Sequence, residues 1–266
     1  MNEHISLERS GEAAWITINR PERKNAFLSE MVTRLAQIGE EVSNDETCRV
    51  VVVRGVGGDF CSGSDVGGIA EGTQRSGPDR AKAADQGLAN TIQPLLRTFL
   101  GMRQPIVVSA RGYAIGLGVQ FLLFADLVVA SETLKVMVPQ VRLGHVLDHG
   151  ESYLLPRRIG HAKAMELALL GEAMSGADAE RFGLVNFLTK DEELEATTDT
   201  VVTKLLRASP DALWRSKALV RESQTNNLEA QLAAERKHVS TCMGTEDFVE
   251  AIAAFREKRE PQFIGA

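Results

Sequence analysis

Apolar and polar positions alternate through "EAAWITINRP", residues 12–21, where Trp15, Ile16 and Ile18 carry the pattern and Pro21 ends it. That alternation predicts a strand. "LSEMVTRLAQIGEEVSND" then spaces Met31, Leu35, Ile38 and Val42 three to four residues apart, an amphipathic helix with Ser29 as its expected cap. "CRVVVVRGVGG" does not alternate; a continuous β-branched run suits a strand buried on both faces. "QPIVVSARGYAIGLGVQFLLFADLVVAS", residues 104–131, reads as strand, glycine turn, buried helix and strand. Before it, "EGTQRSGPDRAKAADQ" (71–86) is polar without a period and is expected to be mobile or loosely helical. "ANTIQPLLRTFLGM" is expected to be a helix with Pro94 near its start. Strands alternating with helices predict a mixed α/β core with crossover connections.

From about residue 195 the pattern becomes helical almost throughout, broken near Pro210 and Gly244. The expected organisation is therefore an α/β core over 1–194 and a helical part over 195–266 packed on it, without a linker. Composition narrows the class. The chain has 266 residues, 44% hydrophobic and 25% charged, as an ordinary globular protein does. A net charge of −6 argues against nucleic acid or an anionic membrane as the main partner. No secretory signal is expected at the polar N-terminus, and no apolar run reaches the roughly 18 residues that suggest a bilayer span. Cys48, Cys61 and Cys242 are odd in number and lack metal-ligand spacing, so a reducing cytoplasm is expected and a zinc site is not.

Two glycine turns and one polar cluster carry the candidate chemistry. "FCSGSDV" follows the strand at 50–54 and "GYAIGLG" follows the strand at 105–109, the second at the start of a helix. If the two turns meet, each can aim a backbone N–H at one oxygen, which makes an oxyanion hole. Glycines that serve only tight turns give the same pattern, and "GYAIGLG" lacks the further spacing of a dinucleotide fingerprint. "VPQVRLGHVLDHGESYLLP", residues 138–156, holds Asp148, His149 and Glu151. Asp148 suits both a catalytic carboxylate and the N-cap of the helix "ESYLLPRRIG". His145 is expected to be packed rather than functional.

Taken in order, "ITINRPERKNAF", "FCSGSDV", "PIVVSARGYAIGLGVQFLLFADLVVAS", "LLPRRIGHAKAMELALLGEAMSGADAERFGLVN" and "FREKREPQFIGA" resemble the crotonase (enoyl-CoA hydratase/isomerase) superfamily. The resemblance implies a spiral of ββα repeats whose C-terminal helices mediate homotrimers, often paired into hexamers as dimers of trimers. It implies an acyl-CoA substrate, with no cofactor beyond the coenzyme A of the thioester itself. It also implies that the N–H groups of Ser64 and Leu117 stabilise a thioester enolate, with Gly116 beside the second. Lys24 is the implied contact for CoA phosphates. Backbone groups around Ser62 and Asp65 would face the adenine and pantetheine, and Lys258 or Arg259 would add positive charge.

A family hydratase carries two glutamates where this chain has Gln120 and Gln140. An amide can hold a water or a carbonyl, but it does not titrate near neutrality. Losing one general acid or base typically costs about 10² to 10⁴ in rate, so efficient hydration is not expected. Asp148 instead falls where aspartate-dependent enoyl-CoA isomerases carry their base. Isomerisation needs only one carboxylate, and the apolar neighbours Val146 and Leu147 are expected to desolvate it partly. The same position in the resemblance also admits dehalogenase chemistry; hydrolase, decarboxylase or non-catalytic acyl-CoA binding stay open. His149 tunes Asp148 or faces solvent, and Glu151 replaces a common glycine, adding a second carboxylate or merely starting a helix.

Overall fold

A computed structural model describes residues 4–265, apart from the side chains at 68, 69 and 71. Strands β1 (Ile5–Ser10) and β2 (Ala13–Ile18) pair antiparallel around Gly11, and β2 continues in parallel with β3 (Val50–Gly55). Then follow β4 (Ile106–Ala110), β5 (Tyr113–Ile115), β6 (Leu127–Ser131), β7 (Lys135–Met137), β8 (Ala173–Ser175) and β9 (Phe187–Thr189). One sheet runs β1-β2-β3-β4-β6-β9 and a second runs β5-β7-β8. After β4 the chain drops one strand, β5, into the second sheet; after β6 it drops β7. From β4 onward each turn of the chain thus adds a strand to both layers, which is the spiral of a crotonase-like α/β fold.

The β-branched run behaves as its composition predicts. Val51 and Val53 face the larger hydrophobic core, while Val50 and Val52 face a second one, so β3 is buried on both sides. The helices are α1 (Ser29–Ser43), α2 (Val66–Gly72), α3 (Gly77–Gly87), α4 (Gln93–Gly101), α5 (Leu117–Phe124), α6 (Glu151–Ile159), α7 (His161–Leu170) and α8 (Gly176–Arg181). On α1, Met31, Leu35, Ile38 and Val42 are all buried, as their spacing requires. Ser29 is its first helical residue rather than its cap; Leu28 holds that position. The unpatterned 71–86 segment is largely helical: Ser76 caps α3 by accepting the Asp79 N–H at 3.3 Å. A π-helical turn, Leu88–Ile92, joins α3 to α4, where Pro94 stands in the first turn.

The remaining helices are α9 (Leu194–Leu206), α10 (Pro210–Glu222), α11 (Leu228–Met243) and α12 (Glu246–Glu257). Leu194, Val201 and Val202 of α9 close the second core against the sheet. Helix α10 is tied down by Asp126: Lys217 Nζ lies 2.7 Å from its Oδ2 and Arg221 Nη2 lies 2.7 Å from its Oδ1. Burial pulls the Lys217 ammonium down to about 8 despite that partner. Helices α11 and α12 expose Val239, Met243, Val249, Ile252 and Phe255, the last 83% exposed. Among the described residues, no helix is long and apolar enough to cross a membrane.

Candidate active site

The first glycine turn is held from below by the loop after β2. Asn25, fully buried with a left-handed φ of 55°, donates its amide to Val56 O at 3.0 Å and Asp59 O at 2.7 Å. Arg20 donates to Asp65 Oδ2 at 2.6 Å and to Ala26 O at 3.0 Å, clipping the start of the loop to the end of the turn. Phe27 N donates to Gly63 O at 2.8 Å, and Asp65 N donates to Phe27 O at 2.9 Å. In such a parallel bridge the residue between those two bonds, Ser64, points its own N–H to the opposite side. Cys61, in the same turn, is no nucleophile at neutral pH: burial pushes its thiol up to about 12.

The second turn lies directly against the first. Cys61 bridges to Ala114, with Cys61 N donating to Tyr113 O at 2.8 Å and Ile115 N donating to Cys61 O at 3.0 Å. A Cβ built on Gly63, where φ is +95°, would stand 2.9 Å from Ile115 O and 3.9 Å from Leu117 N. One on Gly118 would collide with Cys61 O. Only glycine lets the two turns close so tightly. Leu117 is the first residue of α5, so its N–H is one of the donors a helix start leaves without an intrahelical partner.

The same turn is bonded to the stretch that carries the carboxylates. Gly116 N donates to Met137 O at 3.0 Å, and Gln140 opens a 3-10 turn three residues later. Gly150, with φ +80°, packs so closely on Leu96 of α4 that a side chain there would collide with it. Between them, Gln140 Nε2 lies 2.9 and 2.8 Å from the two carboxyl oxygens of Glu151 and 3.3 Å from Asp148 Oδ1. Glu151 also accepts the Asp148 N–H at 3.3 Å. His149 Nδ1 stands 2.9 Å from Asp148 Oδ1 but off the line of its N–H, so that contact is chiefly electrostatic. Of the four side chains, Asp148 is the part-exposed one; Gln140, His149 and Glu151 are buried behind it.

Protonation follows from this layering. Burial pushes the Asp148 carboxyl up, but the His149 contact, then Gln140 and the farther His145, outweigh it and hold it below the usual range. His149 is pulled down by burial and raised more strongly by Asp148 and Glu151. Glu151 is raised, first by burial, against the opposing His149 charge and Gln140 donor. The ligand atoms of Asp148, His149 and Glu151 lie within 4.8 Å of one another, a spacing one cation could bridge. The Gln140 amide aims its N–H donors at the same carboxyl oxygens.

The sequence profile described as Enoyl-CoA hydratase/isomerase matches residues 8–266. The chain belongs to this family. Within it, the chain is 33% identical over 252 residues to the 1,2-epoxyphenylacetyl-CoA isomerase of Escherichia coli (strain K12), covering 94% of each. It is 31% identical over 266 residues to that organism's 2,3-dehydroadipyl-CoA hydratase, covering all of both. A crystal structure of enoyl-CoA hydratase from Bacillus anthracis superposes with a TM-score of 0.90 at 25% identity, covering 99% of this chain and 100% of that one.

The structure places the other expected residues as follows, and two local readings, the Asp148 cap and the packed His145, do not hold. Asp148 does not cap α6: Gly150 is the cap residue and no side chain caps that end. Val146 is exposed to solvent and Leu147 alone of the two packs on the core. His145 is exposed rather than packed. The N–H of Ser62 donates to Lys24 O and that of Asp65 to Phe27 O, and the Asp65 carboxylate is bound by Arg20. Lys24 is exposed, its Nζ 4.5 Å over the Tyr113 ring. Gln120 is fully enclosed on α5 with neither amide atom hydrogen-bonded. Lys258 ends α12 with a left-handed φ of 56°, and Arg259 is bound by Glu250 and Glu257. A cavity of about 740 Å³ lies apart from these groups, under α10, lined by Leu123, Leu154, Lys217 and Arg221 among others. Sequence reasoning missed Arg20, Asn25 and Asp59, which fix the first turn; "NRPERKN" carries two of them, read only as a strand's end and a basic motif.

Proposed function

We propose that this family member is an enoyl-CoA double-bond isomerase in which Asp148 is the acid/base. The observation that carries the reading is the pairing of residue types: amides at 120 and 140, and one part-exposed carboxylate, kept ionised, at 148. The Asp148 carboxylate takes a proton from the substrate carbon at one end of the allylic system. The electrons move onto the thioester oxygen as a dienolate, held by the N–H groups of Ser64 and Leu117. The same proton returns from Asp148 to the other end, so no water or cofactor is consumed. Each such donor is typically worth about 2.7 to 4 kcal/mol in the transition state. The isomerase named among the relatives supports this direction. The reading includes a homotrimer built on α11 and α12, which their exposed apolar side chains support. It also includes a reducing, cytoplasmic setting, in keeping with three free thiols.

Purified protein given 3-enoyl-CoA is expected to convert it to the 2-enoyl isomer, and to add water to 2-enoyl-CoA only weakly. Asp148→Asn is expected to lower isomerisation by roughly 10² to 10⁴. Fast hydration by the unmodified protein, or full isomerase activity in Asp148→Asn, would sink the reading.

A further inference from the structure

Asp148 is the member of its cluster that solvent reaches, yet three buried polar side chains crowd behind it. Among these, Glu151 is fully enclosed, so it cannot touch a substrate. It is also the first residue of α6, a helix anchored on either side of it: Gly150 just before abuts Leu96 of α4, and Leu155 one turn on is in the core. A fully buried carboxyl is costly to keep unless polar partners repay its desolvation. Here the partners are the Gln140 amide, on both oxygens, and the Asp148 N–H. The Gln140 nitrogen that grips Glu151 also reaches Asp148 Oδ1.

We propose that Glu151 is a positioning residue for Asp148: through the Gln140 amide it holds the Asp148 carboxylate in one orientation, with an N–H donor on Oδ1. This rests on Asp148 being the base, and it deepens that assignment. The Glu151 carboxyl takes no proton from the substrate. It fixes the amide, the amide fixes the base, and the donor on Oδ1 favours the ionised form of Asp148. The charged and titratable groups facing this pair are His149 on both carboxyls and His145 on Asp148. The pair also accounts for why position 140 is an amide. A third carboxylate there would meet two others at hydrogen-bond distance, whereas an amide supplies donors to both.

The test reads Asp148 directly. Its titration is followed by carboxyl ¹³C NMR and assigned with Asp148→Asn, alongside kcat and KM for 3-enoyl-CoA. Glu151→Ala is expected to move the Asp148 titration upward and to lower kcat by up to about 10² with KM little changed, as misplacement of a reacting group does. Glu151 holds its proton more firmly than a free glutamate while Asp148 holds its own less firmly, so Glu151 is neutral where Asp148 titrates. The charge lost in Glu151→Ala therefore does not drive the shift. Glu151→Gln keeps an acceptor for the amide and is expected to restore most of kcat and of the titration. Gln140→Met breaks the same link from its other end, so it should match Glu151→Ala, and the double variant should be no worse than either.

An unmoved Asp148 titration in Glu151→Ala, or a double variant clearly worse than Gln140→Met alone, would overturn the proposal. If Glu151→Ala does not fold, Glu151→Leu, which fills the site without an acceptor for the amide, takes its place; Gln140→Met alone removes the donor on Asp148 whatever Glu151 does. The titration does not depend on which reaction runs. A chain that fails to isomerise therefore refutes the proposed function while leaving the Glu151 result readable.

Discussion

At Asp148 two opposing influences meet, and their balance has a pH signature. Burial disfavours the charged carboxylate, while His149 and Gln140 favour it more strongly. Stability from such a depressed group is present above its unfolded pKa and is lost as pH falls through the folded value. Glu151 runs the other way. Its raised group contributes fully below its unfolded pKa, and the contribution is lost as pH rises through the folded value. Urea unfolding across pH should therefore show the unmodified protein losing its advantage over Asp148→Asn in acid. It should lose its advantage over Glu151→Gln on the alkaline side of the ordinary glutamate range; parallel curves in both cases would contradict the assignment. Residue types carry part of the expectation: an amide does not titrate as a hydratase glutamate does, so Gln120 and Gln140 argue against hydration in the proposed reading. Local rules misread the neighbours. Asp before a helix suggests a cap, and only the left-handed Gly150 between Asp148 and α6 removes that role. His145 and His149 look alike in sequence; one faces solvent and the other is buried against Asp148 because the loop turns at Gly144 and Gly150.

Among elements, the strands and the helices with a clear apolar period were readable, since each buries one face or two. The polar 71–86 segment was not, because α3 buries no side chain and so shows no apolar face; its helix rests on the Ser76 cap and on continuity with α4. The glycine turns were visible as turns, but their meeting depends on the Cys61–Ala114 bridge, a pairing between distant segments that local patterning does not encode. That meeting can be tested at Gly118, whose close contact with Cys61 O leaves no room for a methyl group. Gly118→Ala is expected to destabilise the fold by about 1 to 3 kcal/mol, the usual cost of overpacking. It should also lower kcat by roughly 10² or more as the Leu117 donor is displaced. Thermal unfolding together with steady-state kinetics checks both, and an unaffected kcat would separate Leu117 from the chemistry.

For the whole molecule, two surfaces of α10–α12 behave differently. The inner one is locked to Asp126 through Lys217 and Arg221, and the outer one carries Ile252, Phe255 and other apolar side chains into solvent. Large apolar side chains exposed together on a pair of helices are what an interface between subunits would cover. Light scattering coupled to size exclusion is expected to give three or six chains per particle, and Phe255→Glu to shift it towards smaller species. A monomer in the unmodified protein would rule out the trimer. The helical character of residues beyond 195 could be read from periodicity, but the role of α9 could not. Leu194, Val201 and Val202 look like any amphipathic stripe until the sheet's second face is seen to need them.

The bond from Gly116 to Met137 divides the labour of the molecule in an unexpected way. On one side of it, the donors proposed for an enolate are main-chain groups, positioned by glycines and indifferent to which side chains surround them. On the other, the groups proposed to move or steer a proton lie between residues 140 and 151. Stabilising the intermediate and choosing its fate are thus written in separate, short passages of the chain. A lineage could exchange one reaction for another by editing a dozen or so codons, leaving the costly part of the architecture untouched.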